Sequence, residues 1–286
     1  MQPVIVALVA GLLGGLLVGC AAYCWPTLAA PKVAPVTVLE EGRKHPSIAR
    51  ALWSRIDAIR LGGLALGFLL LVAILGGALL GVLAWMIRSD VGLAHYDSSA
   101  AHWGARHATS ASTTVLRDLS QLGGTWGSIA VALATAVVAS RKLRPRSVVL
   151  FLVVVMVGES VLVAVIKGIV GRARPNIDRL TGFSGASFPS GHAATAAATF
   201  AAIALLLGYS QTRSRRAVIA GVCAAVAVTV AATRVLLGVH WLTDVVAGLV
   251  LGWTWFAIVS FAFGGRLLRL GAPIEAAQRV LTKSPG

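Results

Sequence analysis

Three separated stretches of the chain carry residue types that together could hold and cleave a phosphate ester. Lys167–Pro175 reads K-G-I-V-G-R-A-R-P, Pro189–His192 reads P-S-G-H, and Arg234–Asp244 reads R-V-L-L-G-V-H-W-L-T-D. Lys167, Arg174 and Arg234 are cations able to bind phosphate oxygens. Snorkelling toward lipid head groups explains one such cation at the edge of an apolar run, but not three accompanied by two histidines. Pro189 and Ser190 are ordinary helix-start residues, and a helix start also receives anions on its free N–H groups. There Gly191 lets a ligand approach the backbone, Ser190 adds a hydroxyl donor, and His192 stands over the same place. His240 and Asp244 are four residues apart, which puts them on one helical face. A carboxylate in that position can accept the imidazole Nδ1–H, fix the tautomer and leave Nε2 free to attack phosphorus.

Other chemistries find little support. Ser190 lacks the G-x-S-x-G setting of a hydrolase nucleophile, and no G-x-x-x-x-G-K-[ST] loop speaks for nucleotide hydrolysis. Two-metal catalysis needs clustered carboxylates. The motif side of the chain offers only Asp90, Asp97, Asp118, Asp178 and Asp244, so no metal or other cofactor is expected. His95, His102 and His107 are spaced by seven and five, which fits no helical ligand pair, and they read as solvated or interfacial. Cys20, Cys24 and Cys223 form no disulfide framework; in apolar runs they read as small buried hydrophobes.

The elements that must position the motifs are membrane spans. The chain has 286 residues, 57% apolar and 12% charged, and a mean hydropathy of +0.85, values that point to a multi-span membrane protein. A helix needs about 20 apolar residues to cross the hydrocarbon. Seven stretches qualify: Val4–Tyr23, Leu61–Ile87, Trp126–Ala139, Val148–Ile166, Ala193–Leu207, Ala217–Val235 and Leu242–Phe263. The third and fifth are short and are expected to extend by a few residues. Between Asp90 and Gly123 the chain is too polar to span and reads as amphipathic helix and loop on the outer surface, near the mouth of the site. The net charge of +15 suits loops against an anionic leaflet; with neither zinc-finger nor RNA-binding motifs, nucleic acid is not an expected partner.

Basic residues set the orientation. Lys32, Arg43, Lys44, Arg50, Arg55 and Arg60 precede the second span, Arg141, Lys142, Arg144 and Arg146 follow the third, Arg213, Arg215 and Arg216 follow the fifth, and Arg266, Arg269, Arg279 and Lys283 follow the last. By parity these segments share one side, and they hold 17 of the 25 basic residues, which makes that side cytoplasmic. The motif side therefore faces outward. Leu17-Val18-Gly19-Cys20 is similar to a lipoprotein cleavage box. No Lys or Arg precedes it, and cleavage would put the basic stretch 32–60 outside, so an uncleaved extra span with an outward N-terminus is expected. The chain divides into an N-terminal transmembrane helix (1–25), a basic cytoplasmic linker (26–60), a six-helix domain (61–265) and a cytoplasmic tail (266–286).

The combined spacing K-x-x-x-x-x-x-R-P, P-S-G-H and R-x-x-x-x-x-H-x-x-x-D resembles the signature of the type 2 phosphatidic acid phosphatase superfamily of membrane lipid phosphatases. Every specified letter matches. The likeness covers the second to seventh spans. One departure is Thr233 before Arg234 where the family usually has serine, and the hydroxyl is kept. The resemblance implies an all-α integral membrane protein: a six-helix transmembrane bundle of that kind, here with one extra N-terminal transmembrane helix, and the site on the outer side. Lys167, Arg174, Ser190, the Gly191 amide and Arg234 would hold the phosphate. His240 would form a phosphohistidine steadied by Asp244, and His192 would protonate the leaving lipid oxygen. Members act without a metal. Family analogy ranks a polyprenyl diphosphate first among substrates, as in bacterial undecaprenyl diphosphatases, then phosphatidic acid or phosphatidylglycerophosphate.

The expected partners are thus a lipid phosphate and the bilayer of the plasma membrane, and nothing in the residues specifies an oligomeric state. Two rivals were weighed. Vanadium haloperoxidases share the anion pocket but are soluble. A transporter or anionic-lipid-binding protein would need the cations but not acid, base and nucleophile together. Glu159, eight residues before Lys167 and so about 12 Å deeper along its helix, is either a functional group inside a span or a hydrogen-bonded structural residue. Trp241, Trp253 and Trp255 read as interfacial anchors or lipid-facing bulk.

Overall fold

The computed structural model describes residues 1–24, 47–177, 180–182 and 185–268, and among them nine α-helices and one 3₁₀ turn form the protein. The helices are α1 (Gln2–Cys24), α2 (Ser47–Ser89), α3 (Asp97–Arg106), α4 (Ser110–Gln121), α5 (Thr125–Ala139), α6 (Pro145–Val170), α7 (Gly191–Gly208), α8 (Arg213–Leu236) and α9 (Leu242–Leu268); the 3₁₀ turn is Gly92–Tyr96. Six helices are long and apolar enough to cross a membrane. The seventh crossing expected around Trp126–Ala139 is not one longer helix. The helix there is α5, which passes as span-like in length and hydropathy only when counted together with α4, from which it is bent by 50°. The break falls at Gly123-Gly124. A Cβ on Gly123 would lie 2.7 Å from the His192 carbonyl oxygen, and one on Gly124 would lie 3.2 Å from Gln121 O. Only glycine lets the elbow pass so close to the start of α7.

One boundary differs from the sequence reading. The helix of the second span begins at Ser47, inside the segment read as linker, while residues 25–46, with Lys32, Arg43 and Lys44, lie outside the described residues, as does the tail beyond Leu268. Asp178 also lies outside them.

Helix α7 is the axis of the bundle: 61% of its residues are buried, against 11% for the apolar part of α2 at the periphery. Lipid is as apolar as leucine, so transmembrane helices associate through close packing of small residues. The sequence Gly191–Gly208, rich in alanine, supplies such a surface. Gly248 and Gly252 of α9 lie against it so closely that a Cβ would meet Ser190 O at 2.5 Å and Ala194 O at 2.3 Å. On another face, Val148, Phe151, Leu152 and Val155 of α6 pack with Ala198, Ala202 and Leu206. Glu159 joins these two helices as well. It is fully buried and accepts hydrogen bonds from Thr195 Oγ1 (3.1 Å) and Ser160 Oγ (3.3 Å), one turn below His192 on α7.

The extra helix α1 runs antiparallel along α8. Cβ atoms on Gly11, Gly15 and Gly19 would collide with or touch Thr229, Gly221 and Ala217 in turn. Val4 and Ala7 at its start cluster with Leu236, Leu237 and Val239, while at its other end Arg213 Nε donates to Tyr23 O. The expected burial of all three cysteines fails for two of them: Cys20 and Cys24 are exposed on α1, and only Cys223 is buried. Helix α1 has a single packed face, and the rest of its surface meets the surroundings.

Trp255, read as an interfacial anchor or lipid-facing bulk, is half-buried and packs between helices. Its ring lies over Gly158, and Nε1 donates to Val155 O at 3.0 Å, joining α9 to α6.

Overpacking a tight helix contact costs about 1–3 kcal/mol. Gly252→Leu is therefore expected to lower the thermal unfolding midpoint in detergent, while Gly77→Leu, whose Cβ meets nothing within 4 Å, should leave it unchanged. Light scattering or a thiol-free dye assay on the two variants would check this.

Candidate active site

The three motifs meet at one end of the bundle, where α6 and α8 finish and α7 and α9 begin. The basic loops after α5 and α7 lie at the opposite end, where Lys142 Nζ donates to Ser210 Oγ. Each motif reaches the site for a local reason. Helix α6 stops at Gly171, whose positive φ of 60° and N–H donated to Lys167 O make a left-handed cap. The chain beyond it folds over the bundle end and is fastened there: Ser187 Oγ donates to Ala173 O, Arg117 donates to Leu180 O, and Leu180 N–H donates to Leu237 O. Gly238, at φ 71°, turns the chain after α8, and Val239 and His240 N–H both donate back to Arg234 O.

His240 is 2% exposed and Asp244 fully buried. Imidazole Nδ1 donates to Asp244 Oδ2 at 3.4 Å, and Arg174 Nη1 donates to Nε2 at 3.2 Å. Both bonds require the tautomer with the proton on Nδ1, so the lone pair of Nε2 faces the cations. Asp244 Oδ2 also accepts the Trp241 N–H at 3.0 Å, as an acid near a helix start should. Burial is the largest influence on His240 and pushes its pKa down to about 4 from 6.5, with Asp244 pulling upward and Arg174 and Arg234 pushing down. Near neutral pH the ring is uncharged.

The cations surround this ring. Arg174 is held by Gly185 O (2.9 Å), Val239 O (2.8 Å) and Ala186 O (3.3 Å). Lys167 Nζ donates to Ala186 O at 2.9 Å and lies within electrostatic reach of Arg174, Arg234 and Asp244. Arg234 is 6% exposed and donates to Ser120 Oγ of α4 at 2.6 Å. His192 is half-buried and feels the charges of Arg234, Lys167 and Arg174 and the ring of His240. Ser190 N–H donates to Asp244 O. Ser190 Oγ and Arg234 Nε are buried with no hydrogen-bond partner among the described residues. Leaving such groups unmet costs about 1–3 kcal/mol each, and oxygens of a bound anion would meet them. A Cβ on Gly191 would touch only Val163, at 3.7 Å, so protein packing does not demand glycine there. All eight residues singled out from sequence, Lys167, Arg174, Ser190, Gly191, His192, Arg234, His240 and Asp244, therefore gather at this end of the bundle.

Four further residues were not foreseen. Arg172 donates through Nη1 to Asp244 Oδ1 (2.6 Å) and Thr243 Oγ1 (2.7 Å), and through Nη2 to Asp97 Oδ2 (2.7 Å). Asp97, at the start of α3 and 4% exposed, accepts Thr243 N–H (2.8 Å) and Thr243 Oγ1–H (2.6 Å). Ser120 seats Arg234. Trp241, read as a lipid anchor, instead lies under Arg172, 5.3 Å from its guanidinium carbon, and donates Nε1–H to Ala173 O. Arg172 stands within the first motif, two residues before Arg174, so its position was a signal. Asp97 and Ser120 sit in a polar stretch with no spacing to mark them. His95 and His102 are exposed, and His107 Nδ1 pairs with Trp103 O, as expected of surface histidines.

Residues 148–266 match the PAP2 superfamily, and this matched stretch, a PAP2 segment, contains all eight residues. A lipid A 1-phosphatase of Rhizobium etli is 38% identical over 133 residues, 42% of this chain and 53% of that protein. A phosphatidylglycerophosphatase B of Bacillus subtilis is 37% identical over 116 residues, 39% of this chain and 56% of that protein. The chain spans about half the length of the curated relatives it matches. The crystal structure of a transmembrane PAP2 type phosphatidylglycerolphosphate phosphatase from Bacillus subtilis superposes with a TM-score of 0.61 at 26% identity, covering 69% of this chain and 98% of that one. The fold is all-helical, with six helices among the described residues long and apolar enough to cross a membrane, and is similar to that of this PAP2 type phosphatase.

A histidine whose pKa is lower folded than unfolded binds its proton more weakly in the native state. Its contribution to stability is complete above about 6.5 and is lost as pH falls through about 4. Detergent-solubilised protein is expected to lose stability over that window, and His240→Gln, which does not titrate, to lose less; unfolding midpoints measured from pH 4 to pH 7 report the difference.

Proposed function

We propose that the protein is a lipid phosphatase that hydrolyses a lipid phosphomonoester or diphosphate at the outer face of the plasma membrane, through a phosphohistidine on His240 and without a metal ion. The supporting observation is the pairing of His240 with Asp244 in a tautomer that aims Nε2 into a cluster of cations. Lys167, Arg172, Arg174 and Arg234 oppose Asp97 and Asp244 there, leaving two positive charges over to match a phosphate dianion. Names of the relatives support the class of substrate, and the opposite placement of the basic loops, by the positive-inside rule, supports outward sidedness.

In the proposed reaction the lipid phosphate displaces Arg174 from Nε2, and its oxygens take donors from Lys167, Arg174, Arg234, Ser190 and the Gly191 N–H. Nε2 attacks phosphorus as the bond to the lipid oxygen breaks, and His192, which takes up a proton from solvent once the bound phosphate dianion offsets the cations around it, gives that proton to the lipid oxygen. Asp244 steadies the Nδ1–H of the charged ring. Neutral His192 then takes a proton from a water that attacks the phosphohistidine; phosphate leaves and His240 returns to its starting form. Charge stabilisation by fixed donors supplies much of the rate, and the bent crossing of α4 and α5 gives His192 its room. The lipid tail stays in the bilayer beside the bundle. A polyprenyl diphosphate is the first candidate substrate, with phosphatidic acid and phosphatidylglycerophosphate next. Phosphatidylglycerophosphate gains weight from the Bacillus subtilis relatives.

Purified protein given a panel of these lipids and a lipid A 1-phosphate should release inorganic phosphate equally with and without EDTA. His240→Ala should lower kcat by at least about a thousandfold, as removal of a nucleophile does. Ordinary turnover by His240→Ala, or activity abolished by chelator and restored by a divalent ion, would contradict the proposal.

A further inference from the structure

Resting on the phosphatase reading, we infer that Arg172 and Asp97 are positioning residues for the reaction: Asp97 on the outer helix α3 holds Arg172, and Arg172 fixes the Asp244 carboxylate that orients His240.

The geometry is specific. Asp244 has two oxygens with divided duties. Oδ2 faces His240 Nδ1 at 3.4 Å and the Trp241 N–H, and Oδ1 is taken by Arg172 at 2.6 Å. A carboxylate held at one oxygen alone can rotate about its last bond; one held at both cannot. Arg172 would itself be free to swing toward any phosphate nearby. It is prevented by Asp97 on its other nitrogen, by the Thr243 hydroxyl, and by the Trp241 ring beneath it. Thr243 closes the circuit, since its hydroxyl accepts from Arg172 and donates to Asp97, while its N–H donates to the same carboxylate. The result is a ring of short hydrogen bonds between groups that are 0–15% exposed. A planar guanidinium with forked donors can bridge two carboxylates in this way, and a lysine ammonium cannot.

Charge explains why two carboxylates are needed. With Asp244 alone, Arg172 would cancel the negative field that His240 requires when its ring becomes positively charged. Asp97 neutralises Arg172, so Asp244 keeps its full effect on the ring. His240 otherwise faces cations: Arg174 and Arg234 directly, with His192 beside it and Lys167 opposite Asp244. Arg172 lies inside the stretch that matches the PAP2 superfamily and Asp97 outside it. The clamp thus makes the catalytic dyad depend on a helix that carries none of the three motifs.

The experiment compares kcat and KM for lipid phosphate hydrolysis by the full chain and by Arg172→Met, Arg172→Lys, Asp97→Asn and the double variant Asp97→Asn/Arg172→Met, with His240→Ala as reference. Arg172→Met and Arg172→Lys should lower kcat about a hundredfold and Asp97→Asn about tenfold, each with KM within threefold, because phosphate binding is left to the other cations. In the Arg172→Met background Asp97→Asn should bring no additional loss, since Asp97 acts through Arg172; such non-additivity marks coupled residues. The inference is overturned if both Arg172 variants keep kcat within twofold, if KM alone rises, or if the effects of the two sites multiply. Dead His240→Ala with normal Arg172 variants would sink the clamp and leave the phosphatase reading standing. Normal turnover in His240→Ala would instead remove that reading.

Discussion

Everything at the motif end of the bundle depends on the buried carboxylate of Asp244. A bare carboxylate away from water is costly unless charge and hydrogen bonds surround it. Asp244 meets that requirement with Arg172, the Trp241 N–H and His240, and those same contacts draw three chain segments together. Helix α9 starts there, the segment after α6 is pulled across by Arg172, and the segment after α8 is tethered through His240. One group's need for partners gathers the cations and the His240 ring at one place.

That concentration of charge sits on a scaffold with very little charge in it. The central helix α7 is rich in alanine, and the glycines of α9 and α1 let neighbouring backbones close to contact. Close packing of small residues limits how far the helix ends can shift. Helices α4 and α5 meet at a 50° bend beside His192. Helix α1 adds a brace along α8, the helix that ends in Arg234, and its first turns pack on the residues just before His240.

Sequence carried a large part of this and not the rest, for physical reasons. Apolar runs of span length announce helices whatever their partners, so α1, α2 and α6 to α9 were legible. The bent joint of α4 and α5 was not, because each is too short or too polar to stand out as a span alone. Lys167, Arg174, His192, Arg234, His240 and Asp244 were legible because charge and imidazole at the edge of an apolar run have few other uses. Asp97 was counted among the carboxylates of the outer stretch without a role, since nothing local distinguishes a carboxylate that will meet Arg172 from one that meets water. The Arg172 contact of Trp241 was hidden for a similar reason: an aromatic at a helix start suits a lipid interface equally well until its partner is known.

The central claim is that His240 Nε2 takes the phosphoryl group. Rapid-quench mixing with a ³²P-labelled lipid phosphate, stopped in alkali and followed by proteolysis and mass spectrometry, tests it most directly. Label that is stable in alkali, lost in acid and carried on the peptide containing His240 is the expected result. Phosphate released at full rate while no labelled protein forms, or label found on another residue, would contradict it.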